Sequence, residues 1–205
     1  MNVLIINGSP RANGNTEVAL KEMKDIFEAS GVEVKQLNVG GKAIRGCIAC
    51  GQCGKLGKCV FDDAVNEAAP LLAQADGVVV ASPVYYASAN GNLISFLDRL
   101  FYSNHADLRM KVGASVVCAR RGGCSATFDE LNKYFTISGM PLASSQYWNS
   151  IHGRLPGEAE QDEEGRQTMR ALARNMVFLM KSIALGKEAY GPPEKEPRAA
   201  TNFIR

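Results

Sequence analysis

The sequence predicts an α/β domain in which five parallel strands form a doubly wound sheet with helices on both faces. Three observations predict it. Short, nearly unbroken apolar runs such as "NVLIIN" and "DGVVVAS" read as strands buried on both faces. Stretches with apolar residues at helical spacing alternate with those runs. Right-handed crossovers fold such an alternation into a doubly wound sheet, and 205 residues suffice for one well-packed domain.

The elements follow in order. The first strand covers Asn2–Asn7 and stops at Gly8. After the loop "GSPRANGN", a helix over Thr16–Ala29 carries Ala19, Met23, Ile26 and Phe27 at helical spacing, with Gly31 just beyond its end. "VEVKQLNV" alternates, which suits a strand near a sheet edge. A cysteine-rich loop at 46–60 leads to a helix over about Asp63–Gln74 and a buried strand, Asp76–Ser82. "GNLISFLDRLF" is a helix, "KVGASVVCA" the fourth strand and "SATFDELNKYFTI" a further helix. "MPLASSQYW" is expected as the fifth strand. The last helix spans about Asp162–Leu185, with Met169, Leu172, Met176, Met180 and Ile183 on one face and Gly186 as its stop. A single domain thus occupies 1–190. The tail, 191–205, is proline-rich, charged and extended and reads as a mobile terminus, an arm on a neighbouring subunit through its apolar ending "NFIR" being the alternative.

The composition, 46% hydrophobic and 21% charged, is that of an ordinary globular protein. A formal charge of +2 argues against nucleic acid or an anionic membrane as the main partner. The first apolar run is too short for a signal sequence, and no run reaches the length of a membrane span. The expected location is the cytoplasm, where clustered thiols serve metal or redox chemistry more often than structural disulfides.

"GSPRANGNT" (Gly8–Thr16) joins the first strand to the first helix. Gly8 and Gly14 permit tight turns, Ser9, Asn15 and Thr16 offer donors, and Arg11 offers a charge. The helix N-terminus aims free N–H groups at the same point, which makes a cradle for a phosphate. It is neither a Walker A loop nor the GxGxxG fingerprint. The alternative is a well-capped turn with Asn15 or Thr16 as N-cap.

With "SPVYYASANGNLISFLDR" at 82–99, this loop resembles the flavodoxin-like NAD(P)H-dependent FMN reductases, and the cysteine run makes the chain similar to their iron–sulfur flavoprotein subgroup. The resemblance covers about the first 125 residues and implies the strand order 2-1-3-4-5. It implies that Ser9, Arg11, Asn13, Asn15 and Thr16 hold the FMN phosphate. It places Pro83, Val84, Tyr85, Tyr86 and Asn92 along the isoalloxazine ring, and the loop "ARRGGCS" at its pyrimidine edge. Physical chemistry agrees with that placement. Tyr85 and Tyr86 supply a flat wall, Gly122 and Gly123 backbone donors, and Arg120 or Arg121 a positive charge that stabilises a reduced anionic flavin. A solvated turn is the alternative for the two arginines.

Cys47, Cys50, Cys53 and Cys59 follow a C-x2-C-x2-C-x5-C pattern, four of the chain's six cysteines. The first three spacings match the wrap that a 4Fe-4S cluster requires. Glycines at 46, 51, 54 and 57 permit that wrap, and Arg45, Lys55 and Lys58 would offset its negative charge. Zinc sites place a longer spacer between ligand pairs, and bare redox or core thiols are the third reading. The cluster is the preferred one. Cys118 ends a strand and reads as core, whereas Cys124 is placed to line the ligand pocket. His105 is expected in an exposed loop, and His152, with Tyr147 and Trp148, near the ligand edge. No paired-carboxylate or Ser–His–Asp set can be argued.

The expected function is oxidoreduction through FMN, with NAD(P)H as co-substrate and a small-molecule or protein electron acceptor. A non-enzymatic FMN electron carrier, its cysteine loop holding zinc or no metal, is the alternative. The resemblance also implies a homo-oligomer, a dimer or tetramer.

Overall fold

β1 (Asn2–Asn7) is the strand from which the sheet is wound in both directions. In the computed structural model, which describes residues 1–197, 199–201 and 203, β2 (Glu33–Asn38) lies on one side of β1. On the other side lie β3 (Gly77–Pro83), β4 (Val112–Ala119) and β5 (Ser150–His152). All five strands are parallel, in the order β2-β1-β3-β4-β5 that the resemblance implied.

Alternation along β1 divides the core. Val3 and Ile5 face α1 (Asn15–Ala29) and α6 (Glu163–Tyr190), packing with Leu20, Met23, Phe27, Met169 and Met176. Leu4 and Ile6 face the other layer, where α3 (Ala64–Gln74), α4 (Gly91–Ser103) and α5 (Cys124–Ile137) contribute Leu72, Phe96, Leu97 and Phe135. With both faces covered, β1, β3 and β4 need apolar residues at almost every position. β2 has only one neighbour and alternates between exposed and half-buried, as an edge strand does.

Two expectations are corrected. "MPLASSQYW" is not the fifth strand. It touches β4 at one bridge, Gly113–Leu142, where Gly113 N donates to Pro141 O (2.8 Å) and Ala143 N to Gly113 O (2.9 Å). The chain then leaves the sheet because the side chains of Ser145 and, just beyond the stretch, Asn149 take up hydrogen bonds instead of a continuous ladder. The Ser145 hydroxyl lies 2.6 Å from Tyr147 O, and Asn149 Nδ2 donates to Ser115 O at 3.0 Å in place of a ladder bond. Pairing resumes only at Ser150.

The last helix does not stop at Gly186. An interior glycine costs about 1 kcal/mol, too little to end a helix that continues into Lys187, Glu188 and Ala189. It stops at Gly191, which has φ 77° and is followed by two prolines. The described tail residues form neither helix nor strand. The ending "NFIR", on which the alternative of a subunit arm rested, lies, Phe203 apart, outside the described residues. Among the described residues no helix is long and apolar enough to cross a membrane.

Candidate cofactor site at the carboxyl edge of the sheet

The loop after β1 is held by backbone N–H groups that reach both backbone and side-chain oxygens. Gly8 N donates to Ala81 O (2.8 Å), Ser9 N to Asn7 Oδ1 (2.9 Å), Arg11 N to Ser9 Oγ (3.2 Å) and Gly14 N to Arg11 O (3.2 Å). Gly14, with no side-chain cap, is the N-cap of α1, so neither Asn15 nor Thr16 caps the helix. Asn15 instead accepts from Ala159 N at 3.1 Å. The first N–H groups of α1 therefore lack helical partners and sit beside the Ser9 hydroxyl and the Arg11 charge. Gly40, at the exit of β2, lies flush on this loop: a Cβ there would stand 2.1 Å from Gly8 O.

The loop after β3 closes the opposite wall. Val84 N donates to Cys118 O at 2.8 Å, and Tyr85 and Ser88 exchange backbone hydrogen bonds across a two-residue turn. That turn holds Tyr86 (φ 52°) and Ala87 (φ 59°) in the left-handed region, where side chains larger than glycine are strained. Glu130 of α5 clamps it by accepting from Ser88 Oγ (2.9 Å) and Ala89 N (2.8 Å). Gly123, at φ 93°, packs so closely that a Cβ would lie 2.8 Å from Val84 Cγ1.

Between these walls lies a cleft of about 170 Å³. Of the residues singled out in the sequence, it brings together Ser9, Arg11, Asn15, Thr16, Pro83, Val84, Tyr85 and Arg120. The others lie apart from its lining. Asn13 is exposed on the outer side of the loop, and Tyr86 projects fully into solvent. Asn92 ties two loops together by donating to Gly40 O at 3.0 Å. Arg121 and Gly122 are exposed beyond the rim, and Gly123 serves the packing just described. Cys124 does not line the cleft; Cys118 does. Burial pushes the Cys118 thiol up to about 12, so it brings no negative charge. Arg154 completes a rim of three arginines with Arg11 and Arg120. Sequence reading missed it because it follows a strand placed too early.

The four clustered cysteines line a second, small pocket with Ile48, Val60, Phe61, Arg99 and Tyr102. Ala49, Gly51 and Gly57 take left-handed backbone (φ 54°, 67° and 68°), curling the chain so that the thiols face one space. A short helical turn, α2 (Cys53–Leu56), carries the third cysteine, and Ala49 N donates to Cys47 Sγ at 3.4 Å. Among the described residues no three His, Cys, Asp or Glu side chains close on a single metal-ion position.

Arg99 holds the far side of this pocket. It is 1% exposed and donates to Cys59 Sγ from Nε (3.3 Å) and Nη2 (3.2 Å). It also grips Asp63 through both oxygens, at 2.7 and 2.9 Å. Burial works against the Asp63 charge. The Arg99 hydrogen bonds, the Val65 N–H and the Arg99 charge outweigh it and hold the carboxyl below its ordinary value. Asn66 adds a clasp, accepting from Cys59 N and donating to Cys59 O, both at 3.0 Å. His105 is exposed as expected, with Nε2 3.1 Å from Cys53 O. The lysines expected to offset the thiolates, Lys55 and Lys58, are exposed. Arg99 is the charge that touches sulfur. Its spacing with Phe96, Leu100 and Ser103 on the buried face of α4 is the signal sequence reading passed over.

Comparison with known proteins agrees with this architecture. The profile of the NADPH-dependent FMN reductases matches residues 1–154. An iron–sulfur flavoprotein of Methanocaldococcus jannaschii is 30% identical over 191 residues, covering 89% of this chain and 99% of the relative. One of Methanosarcina thermophila is 30% identical over 193 residues, covering 92% and 100%. Among solved structures, RosB with a bound formylated riboflavin phosphate superposes with TM-score 0.72 at 14% identity, over 100% of this chain and 92% of that one. A flavodoxin-like WrbA-type protein of Agrobacterium tumefaciens superposes with TM-score 0.60 at 14% identity, over 88% and 98%; both likenesses concern the fold alone. The match of three quarters of the chain to one profile, with full-length relatives on the same pattern, settles the kinship: this chain belongs to the NADPH-dependent FMN reductase family, within its iron–sulfur flavoprotein subgroup.

Proposed function

We propose that this chain is an FMN-dependent NAD(P)H oxidoreductase whose cysteine loop carries a 4Fe-4S cluster and which delivers electrons to a small-molecule or protein acceptor. The observation that carries the reading is the cleft at the carboxyl edge, where a phosphate loop and an apolar wall meet under three arginines. Ligands of doubly wound sheets bind at this place.

The residues present fit FMN. Ser9, Asn15, Thr16 and the N-terminus of α1 would hold its phosphate, with Arg11 neutralising charge. Pro83, Val84 and Tyr85 would lie against the ring and exclude water from one side. Arg120 and Arg154 on the rim favour negative charge in the site.

The donor set also fits a cluster. Cys47, Cys50, Cys53 and Cys59 share one apolar-walled pocket, and Arg99 already donates twice to one of them. Three cysteines at x2 spacing with a fourth from the same loop suit a cube of irons better than a zinc site, which places a longer spacer between ligand pairs. When bound, FMN supplies hydride acceptance and the cluster one-electron exchange; the protein's part is placement, charge and exclusion of water. Exposed Tyr147 and Trp148, tilted against each other with ring centroids 5.0 Å apart, support a dimer or tetramer, which light scattering tests.

The test is the anaerobic visible spectrum of the purified protein after incubation with FMN, with iron and sulfide analysis. Flavin bands that bleach rapidly on addition of NADPH or NADH are expected. A broad brown shoulder is also expected, absent from Cys53→Ser while the flavin bands remain. A protein that stays colourless with excess FMN overturns the reading. Flavin bands that neither nucleotide bleaches would instead identify a carrier working between protein partners.

A further inference from the structure

Three titratable side chains outside the cleft and the cysteine pocket meet at the far rim of the sheet. Cys124 is the first residue of α5, directly after Gly123, and is half-buried. Its Sγ lies 3.8 Å from Nε2 of His152, the last residue of β5. The other ring nitrogen, Nδ1, lies 3.4 Å from Asp162 Oδ2. That oxygen also accepts from His152 N at 2.7 Å, and Asp162 is fixed as the cap of α6 through Gly165 N (2.9 Å). The carboxylate is thus held by backbone on both sides, and the imidazole is oriented by it with the remaining nitrogen turned to a thiol. Nucleophile, base and orienting acid stand in the order that activated cysteines use.

We propose that Cys124, His152 and Asp162 form a thiol–disulfide exchange site that takes a small anionic disulfide. The site does not depend on FMN or on a cluster. Burial raises the Cys124 thiol above its ordinary value, so a base must remove its proton; His152 is placed for that. The Sγ–H bond breaks and its proton passes to His152 Nε2. Sγ attacks one sulfur of the disulfide, a new S–S bond forms as the old one breaks, and the departing sulfur takes the proton from Nε2. One disulfide is consumed and one mixed disulfide formed, with no outside oxidant. Several features favour a negative product at this place. The N-terminus of α5, a helix of 14 residues, opens onto the sulfur, and Arg120 and Arg121 lie exposed in the loop before it. The side chain of His152 is 46% exposed, which leaves the site open to a small molecule.

The test is mixed-disulfide formation on the protein as purified, with oxidised glutathione as probe, followed at Cys124 by peptide mass spectrometry across pH. At neutral pH, Cys124 should react at least ten times faster than in His152→Gln. The two should converge at high pH, where the thiol ionises unaided. Asp162→Asn should fall between them, with melting curves confirming that each variant is folded. Cystamine, the cationic counterpart, should react several-fold more slowly than oxidised glutathione. Equal rates in wild type and His152→Gln at every pH, or a Cys124 that stays unmodified, overturn the proposal. Equal rates with the two disulfides overturn its assignment to an anionic one.

Discussion

Two loops leave the same edge of the sheet and are stabilised in opposite ways. The loop of residues 8–16 is held through its backbone N–H groups, which reach Ala81 O, Asn7 Oδ1, Ser9 Oγ and Arg11 O, and Gly8, Ser9, Asn15 and Thr16 are all buried. The cysteine loop, residues 46–60, is largely exposed and has one short helical turn as its regular structure. A buried arginine from another element fastens its far end. The first loop is thus tied together internally, as suits the phosphate cradle proposed for it. The second is anchored at Cys59 while Cys47 and Cys50 stay exposed, so its near end is the freer one to adjust around the cluster proposed for it.

The sharpest way to break this contrast is Arg99→Met. Removing one partner of a buried ion pair costs about 3–5 kcal/mol, and because Asp63 keeps 31% side-chain exposure we expect about 3 kcal/mol, read as a lower urea midpoint. The same variant should lose iron on purification while still binding FMN. Loss of both cofactors together would show that the two loops are not independent.

Gly40→Ala attacks the other loop. Its Cβ would meet Gly8 O at 2.1 Å, so backbone must move, at a cost of about 2 kcal/mol. The expected result is at least a tenfold weaker FMN affinity by fluorescence titration with iron content unchanged.

Acid provides a smaller test. The Asp63 pKa is lower in the folded chain than in the unfolded one, so its contribution is present above the ordinary carboxylate range and fades as pH falls through the depressed native value. Below about pH 4 the wild type should lose the stability that this ionised carboxylate contributes, and Arg99→Met should lose less. Parallel acid branches in thermal melts would remove the ion pair as the anchor. The smallest effect is expected from Tyr86→Gly, which relieves left-handed strain in the third rim loop. Stability should rise by about 1 kcal/mol, seen as a higher melting temperature.

Legibility in the sequence followed how local each interaction is. β1, β3 and β4 were readable because burial on two faces demands apolar residues throughout. β5 was not, since a strand of three residues with one buried side chain, Ile151, carries no periodicity. The loop after β1 was readable as a tight turn because such turns favour glycine, serine and asparagine. Arg154 went unseen because its place depends on β5, and Arg99 because its partners stand 36 and 40 residues away. The set Cys124, His152 and Asp162 joins the start of one helix, the end of one strand and the cap of another helix.

By itself the sequence determined the alternating architecture, the glycine- and hydroxyl-rich turn after β1 and the thiol-rich loop, because each rests on residue types at short, regular spacing. Only the tertiary structure decided which charge touches which sulfur, which arginines ring the cleft and which histidine faces a thiol. A charge can be buried only where a distant element supplies its counter-charge, and that meeting exists only once the sheet has been wound.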